Sequence, residues 1–169
     1  MEAYRYRGNA RWNNGDLDGA IQDYTDAIEL DPTDTLSWSN RGICRAKKND
    51  LAGALEDLSR AIEIDPKYRR ALEIRGEVRS SRGNKTGAIE DFSRALELDS
   101  SDPKTWTKRG VARWKIEDLA EAISDFTEAL SLDKKNALVW FYRGRVRSLQ
   151  GDFEGGIQDY TRAIQINPS

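Results

Sequence analysis

The dipeptide Arg-Gly returns at one fixed interval through the whole chain. It occurs as Arg7-Gly8, Arg41-Gly42, Arg75-Gly76, Arg109-Gly110 and Arg143-Gly144, each glycine 34 residues after the last. Ala20, Ala54, Ala88, Ala122 and Gly156 keep the same step, and so do Ala27, Ala61, Ala95, Ala129 and Ala163. A bulky series runs beside them: Tyr24, Leu58, Phe92, Phe126 and Tyr160. The 169 residues are five uninterrupted periods less one residue. A period of this length defines a unit too small to bury its apolar face alone, so neighbouring units must stack. The expected organisation is a single array over 1–169, with repeats 1–34, 35–68, 69–102, 103–136 and 137–169.

Within each period, small and apolar residues recur at spacings of three and four. Leu17, Ala20, Ile21, Tyr24, Ala27 and Ile28 form such a stripe, the mark of an amphipathic helix. Asn14-Gly15-Asp16 separates two helices: glycine supplies a left-handed turn and the aspartate caps the next N-terminus. Asp50, Asn84, Asp118 and Asp152 repeat the cap, while Glu117 stands where Gly15, Gly83 and Gly151 stand, so its turn is strained or differently shaped. The pattern predicts helices over 2–14, 18–31, 36–48, 52–65, 70–82, 86–99, 104–116, 120–133, 138–150 and 154–167. Glycine at repeat position 8, facing alanines at 20 and 27, predicts close helix approach.

A period of 34 residues with this pattern resembles the tetratricopeptide repeat, a pair of antiparallel helices. The family's Trp position holds Tyr4, Trp38, Leu72, Trp106 and Trp140. Its closing Pro is present as Pro32, Pro66 and Pro168, is replaced by Ser100 and Lys134, and Pro103 is expected to serve the third of these turns. The resemblance covers the whole chain and implies an all-α, right-handed α-solenoid of helix-turn-helix repeats. It also implies a concave groove lined by the first helix of each repeat, in which a partner peptide or helix binds.

Charge narrows the function. With 27 Lys+Arg against 29 Asp+Glu and a net charge of -2, no basic excess marks a nucleic-acid binder. No apolar run is long enough to span a membrane, and no signal peptide is visible. Cys44, the only cysteine, cannot form an internal disulfide, and a reduced, cytoplasmic setting is expected. The absence of histidine removes the commonest general base and metal ligand. Cys44 occupies a position held elsewhere by Ala10, Val78, Ala112 and Val146, which marks a small core residue. No enzyme, cofactor or metal site is expected.

Arg fills repeat positions 7 and 11 without exception, and Asp fills position 23 (Asp23, Asp57, Asp91, Asp125, Asp159). These positions form either a ladder of Arg–Asp contacts or an anion-binding stripe. The matching aspartates favour the ladder, because arginine is seldom buried without a partner. Repeat one carries three Arg against eight acidic residues, and Asp16, Asp18, Asp23, Asp26, Glu29, Asp31 and Asp34 are expected to be a solvated coating.

By the resemblance, the groove takes positions 2, 5, 6, 9, 12 and 13 of each repeat. Trp12, Trp114, Phe141 and Tyr142 are candidate exposed anchors there, or else pack against their own neighbours. Lys104, Lys108 and Arg145 add cations. Some family members grip C-terminal carboxylates with a clamp whose positions hold Arg5, Asn9, Asn40 and Arg70 in this chain. The fifth holds Ile74, where the family has a basic residue. Two cations and two amides suit a carboxylate. The chain stops at Pro168-Ser169 with Ile157, Tyr160 and Ile164 expected to be partly exposed. The expected function is therefore a protein-interaction scaffold. The alternative is a structural or engineered array that self-associates through its end faces, the C-terminal repeat among them.

Overall fold

A computed structural model describes residues 1–168. Among these residues it has ten helices: α1 (Glu2–Asn13), α2 (Leu17–Leu30), α3 (Thr35–Lys47), α4 (Leu51–Ile64), α5 (Arg69–Ser81), α6 (Lys85–Leu98), α7 (Pro103–Trp114), α8 (Leu119–Leu132), α9 (Ala137–Leu149) and α10 (Phe153–Ile166). Each starts where the periodicity placed it or one residue earlier, because the capping residue sits directly before the first helical residue. Pro103 departs from its expected role. It is the first residue of α7, behind the cap Asp102, and so opens a helix instead of closing a turn.

The second-helix caps are built with a device the periodicity alone did not expose. Asp16, Asp50, Asn84 and Asp152 accept a hydrogen bond from the backbone N–H of Gly19, Gly53, Gly87 and Gly155. A Cβ on Gly19 would collide with the Asp16 carboxylate, so the cap requires glycine there. Repeat four has Glu121 at that position, and Asp118 makes no side-chain cap bond. The same repeat holds Glu117 at φ 64, in the left-handed region occupied by glycine at residues 15, 83 and 151. The turn therefore keeps its shape and carries the strain in its backbone.

The helices fall into two compact units, Met1–Arg82 and Gly83–Ser169, so the third repeat gives one helix to each. In the first unit, Ala20, Tyr24 and Cys44 form a buried cluster with Trp12 and Ile21 against it. In the second, the cluster is Ala122, Phe126, Ala129, Leu130, Val139 and Val146. Glycine at repeat position 8 makes the helix approach possible: a Cβ on Gly8 or Gly110 would lie 2.8 Å from the Tyr24 or Phe126 ring.

Charged rungs lock the helix pairs of repeats one, two, four and five. Arg41 donates from Nε and Nη2 to the two oxygens of Asp57 at 2.9 and 2.8 Å, and Arg45 reaches the same carboxylate at 3.0 Å. Arg143 and Arg147 hold Asp159 in the same way, Arg109 and Arg113 hold Asp125, and Arg7 and Arg11 hold Asp23. In repeats two, four and five, the position-7 guanidinium also lies 4.8 Å from the ring centroid of Trp38, Trp106 or Trp140. Each of those indoles donates to a carbonyl in the preceding loop: Pro32, Ser100 or Lys134.

The last donor of the guanidinium ties one repeat to the next. Arg41 Nη1 donates to Thr25 Oγ1 at 3.0 Å, Arg75 to Ser59 at 3.1 Å, Arg109 to Ser93 at 3.0 Å and Arg143 to Thr127 at 3.1 Å. A hydroxyl thus stands at position 25 of every repeat, Thr161 included. One arginine satisfies its own Asp, a neighbouring ring and a neighbouring repeat, which is how so many guanidiniums can be largely removed from water.

Candidate binding groove

The first helices of the two repeats in the first unit, with α5, bring together polar side chains that the sequence spreads from Asn9 to Arg70. Asn9 of α1 accepts at Oδ1 from the Tyr24 hydroxyl at 2.8 Å and from Asn40 Nδ2 of α3 at 3.1 Å. Two donors on one oxygen fix the orientation of the Asn9 amide. Its Nδ2 makes no hydrogen bond among the described residues. Tyr24 stays the donor of its pair, because burial pushes its phenol well above the ordinary range.

Beside these amides opens a pocket of about 310 Å³, lined by Asn9, Trp12, Asn13, Tyr24, Asn40, Ile43 and Arg70. Arg70 is exposed and forms no ion pair among the described residues. The pocket's polar rim is therefore rich in donors, while the Asn9 carbonyl, its natural acceptor, is already occupied. Trp12 forms an aromatic wall and carries Lys47 Nζ 4.5 Å from its ring centroid. A second pocket of about 320 Å³ shares Ile43 and is mainly apolar, with Ile74 and Val78 in its lining.

Of the residues expected for a clamp, Asn9, Asn40 and Arg70 meet at this pocket. Arg5 does not line it. Its guanidinium pairs with Asp34 at 3.1 Å, and Asp34 in turn accepts from the Ser37 hydroxyl. Asp34 is 9% exposed and Asp23 is wholly buried under Arg7 and Arg11, so both are buried partners, not part of the solvated coating expected for repeat one. Asp16, Asp18 and Glu29 do lie in the open. Ile74 faces the apolar pocket, where the family's cation would stand.

The second unit treats the same repeat positions differently. Tyr142 packs against Trp114, Phe126 and Phe141 with centroids 6.1, 5.9 and 6.0 Å apart. Arg145 and Lys115 lie 5.0 and 4.9 Å from the Trp114 ring centroid. Trp12, Trp114 and Tyr142 are half-buried, while Phe141 keeps 40% exposure and meets Tyr160 at 5.8 Å. Lys104 is exposed, and Lys108 is partly covered and has an interaction of its own. Among the described residues, no group of His, Cys, Asp and Glu side chains is arranged to hold a metal ion. Nor, among those residues, is any helix long and apolar enough to cross a membrane.

The sequence pointed to Asn9, Asn40 and Arg70 but treated Tyr24 only as core. Its hydroxyl is the polar handle that sets the amide geometry, and a tyrosine where the next three repeats have Leu58, Phe92 and Phe126 was the available signal.

Helix pairs in tandem, locked by rungs and presenting a groove on their first helices, define a helical-repeat scaffold. The tetratricopeptide repeat model matches over residues 5–69, 41–103 and 107–169, and the chain belongs to that family. Its fold class is all-α, the α-solenoid of helix-turn-helix repeats, and the fold is one that serves protein interaction. Solved structures agree on the fold. A crystal structure of MamA aligns with TM-score 0.92 at 20% identity, covering 95% of this chain and 94% of that one. MamA residues 41 to the end from Desulfovibrio magneticus RS-1 align with TM-score 0.93 at 16% identity, covering 99% and 94%. YrrB, described as a TPR protein with an unusual peptide-binding site, aligns with TM-score 0.90 at 21% identity, covering 98% and 86%. No curated protein matches the chain.

Proposed function

We propose that the chain is a peptide-binding scaffold whose first unit takes a partner segment ending in a free carboxylate. The observation that carries this is the donor-rich pocket: Arg70 without an ion pair, the free Asn9 Nδ2, and Asn13 and Asn40, beside the Trp12 ring. A carboxylate has only acceptor oxygens, so it suits a rim whose donors outnumber its acceptors. The reading is also supported by the peptide-binding site named for YrrB, which shares the fold. Because Arg5 is committed to Asp34, one guanidinium takes the charge, and affinity is expected to be modest.

The test is a calorimetric titration with a short peptide ending in two acidic residues and a free carboxylate, beside its C-terminally amidated twin. Binding of the first alone, weakening as salt is added, supports the proposal. Equal binding of both peptides, or none, rejects it.

A further inference from the structure

The apolar pocket of the first unit owes its opening to one small residue. Repeat position 12 holds Trp12 in repeat one and Trp114 in repeat four, but Ala46 in repeat two. Ala46 lines the pocket of about 320 Å³ beside Ile43, Leu51, Ile74 and Val78, which come from α3, α4 and α5. A methyl there, in place of an indole, leaves the space between these helices unfilled. Ile43, Leu51 and Ile74 are only half-buried, so each keeps apolar surface that an incoming side chain would cover.

The polar groups around this pocket leave little for a polar guest. Lys47 Nζ lies 4.5 Å from the Trp12 ring centroid, and the Ser81 hydroxyl donates to the Glu77 carbonyl at 3.0 Å. Glu77 also lines the pocket and has an interaction of its own, and its carboxylate disfavours an acidic guest. A polar side chain buried here would give up water for few partners, whereas an aliphatic one gains by leaving water.

Ile43 lines both this pocket and the donor-rich one, so the two are neighbours across a single side chain. An extended chain advances about 3.3 Å per residue. A chain end held beside Arg70 therefore brings the side chains of its last two residues next to the apolar pocket. At Ile74, where the family's clamp has a basic residue, this chain offers hydrocarbon instead.

We infer that the first unit selects a partner with an aliphatic side chain in one of its last two residues, seated against Ile43, Ile74 and Val78. The inference rests on the carboxylate reading of the neighbouring pocket and adds the side-chain class preferred beside it. Ala46 and Ile74 are then specificity-determining residues, the first by leaving room and the second by making the wall apolar.

Calorimetric titration of the intact chain compares three peptides of equal length with free carboxylates. One ends in two acidic residues, one has leucine last, and one has leucine next to last. The better leucine peptide should bind about tenfold tighter than the acidic one, the value of partly burying a leucine. Its amidated twin should lose that affinity. Ala46→Trp fills the pocket with the side chain that repeats one and four carry, and Ile74→Thr makes its wall polar. Each should bring the ratio of leucine to acidic affinity toward one. Should Ala46→Trp abolish binding of both peptides, Ile74→Thr decides. Failure of every peptide, or equal binding of the amidated twins, removes the carboxylate reading and this inference with it. Leucine and acidic peptides that bind alike, or in the reverse order, each better than its amidated twin, remove this inference alone. So does a ratio that Ile74→Thr leaves unchanged.

Discussion

The two units hold the same framework and fill their grooves in opposite ways. In the first, position 6 of repeat two is Asn40, which turns to Asn9 and leaves a pocket with an unpaired arginine beside it. In the second, position 6 of repeat five is Tyr142, whose ring closes on Trp114, Phe126 and Phe141. The cation follows suit: Arg70 stands free of ion pairs, whereas Arg145 lies over Trp114. Amides at this position leave hydrogen-bonding capacity for a ligand, and rings consume the space themselves. Framework and groove lining are therefore separable in this chain, the first set by residues that repeat and the second by residues that do not.

Removing a rung should produce the largest effect, and the same one in both units. Asp57 and Asp125 are each 1% exposed at the side chain, under arginines 10% and 12% exposed. Asp57→Ala or Asp125→Ala strands two guanidiniums and should cost about 3–5 kcal/mol in denaturant unfolding. Asp23→Ala should cost less, since Arg7 and Arg11 are 55% and 37% exposed and water can take them. Equal losses at Asp23 and Asp57 would mean that burial does not set the worth of a rung.

Next comes the difference between the grooves. Arg70→Ala should lower affinity for the carboxylate peptide by a factor on the order of 10 to 100, the cost of one charged hydrogen bond. Arg145→Ala should leave that affinity alone. A loss confined to Arg145→Ala would move the ligand to the second unit.

Much of this was legible in the sequence. The period, the helix pairs, the Arg–Asp rungs and the close approach at Gly8 all follow from residues that recur, because a recurring contact needs recurring chemistry. Position 25 carried an equally regular signal in Thr25, Ser59, Ser93, Thr127 and Thr161. It is easily passed over, since Ser and Thr are ordinary on an exposed helix. The groove was only half legible. Arg5 and Arg70 look alike as residues, and what separates them is Asp34, a loop residue whose burial against Arg5 no spacing rule predicts. Tyr24 was hidden by its regularity, one member of an apolar series that also bears a hydroxyl.

A smaller effect tests repeat four, where the turn lacks glycine. Glu117→Gly should stabilise the chain by about 1 kcal/mol by relieving a left-handed residue with φ 64. Gly15→Glu, the reverse change in repeat one at φ 83, should destabilise by a similar amount. A neutral Glu117→Gly would show that the turn is not strained.

The smallest effect near neutral pH concerns Cys44. Burial pushes its thiol from 9.0 up to about 11. Between these values the unfolded chain gives up the proton and the folded chain keeps it. Stability from this group is therefore complete below pH 9 and declines as pH rises toward 11. A Cys44→Ala variant should flatten that part of the stability curve, and a thiol reagent at about pH 8 should label native Cys44 far more slowly than the denatured chain.

The most direct test of the central claim, that the first unit's groove holds a terminal carboxylate, is a gain of function. Ile74 lines the apolar pocket next to the donor-rich one, at the position where a second cation would complete the clamp. Calorimetric titration of Ile74→Lys with the acidic peptide and its amidated twin should show the free carboxylate form binding several-fold tighter than to wild type, with a steeper loss in salt. The amidated twin should gain much less. Unchanged affinity for both peptides, or the same gain for both, would contradict a carboxylate seated beside Arg70.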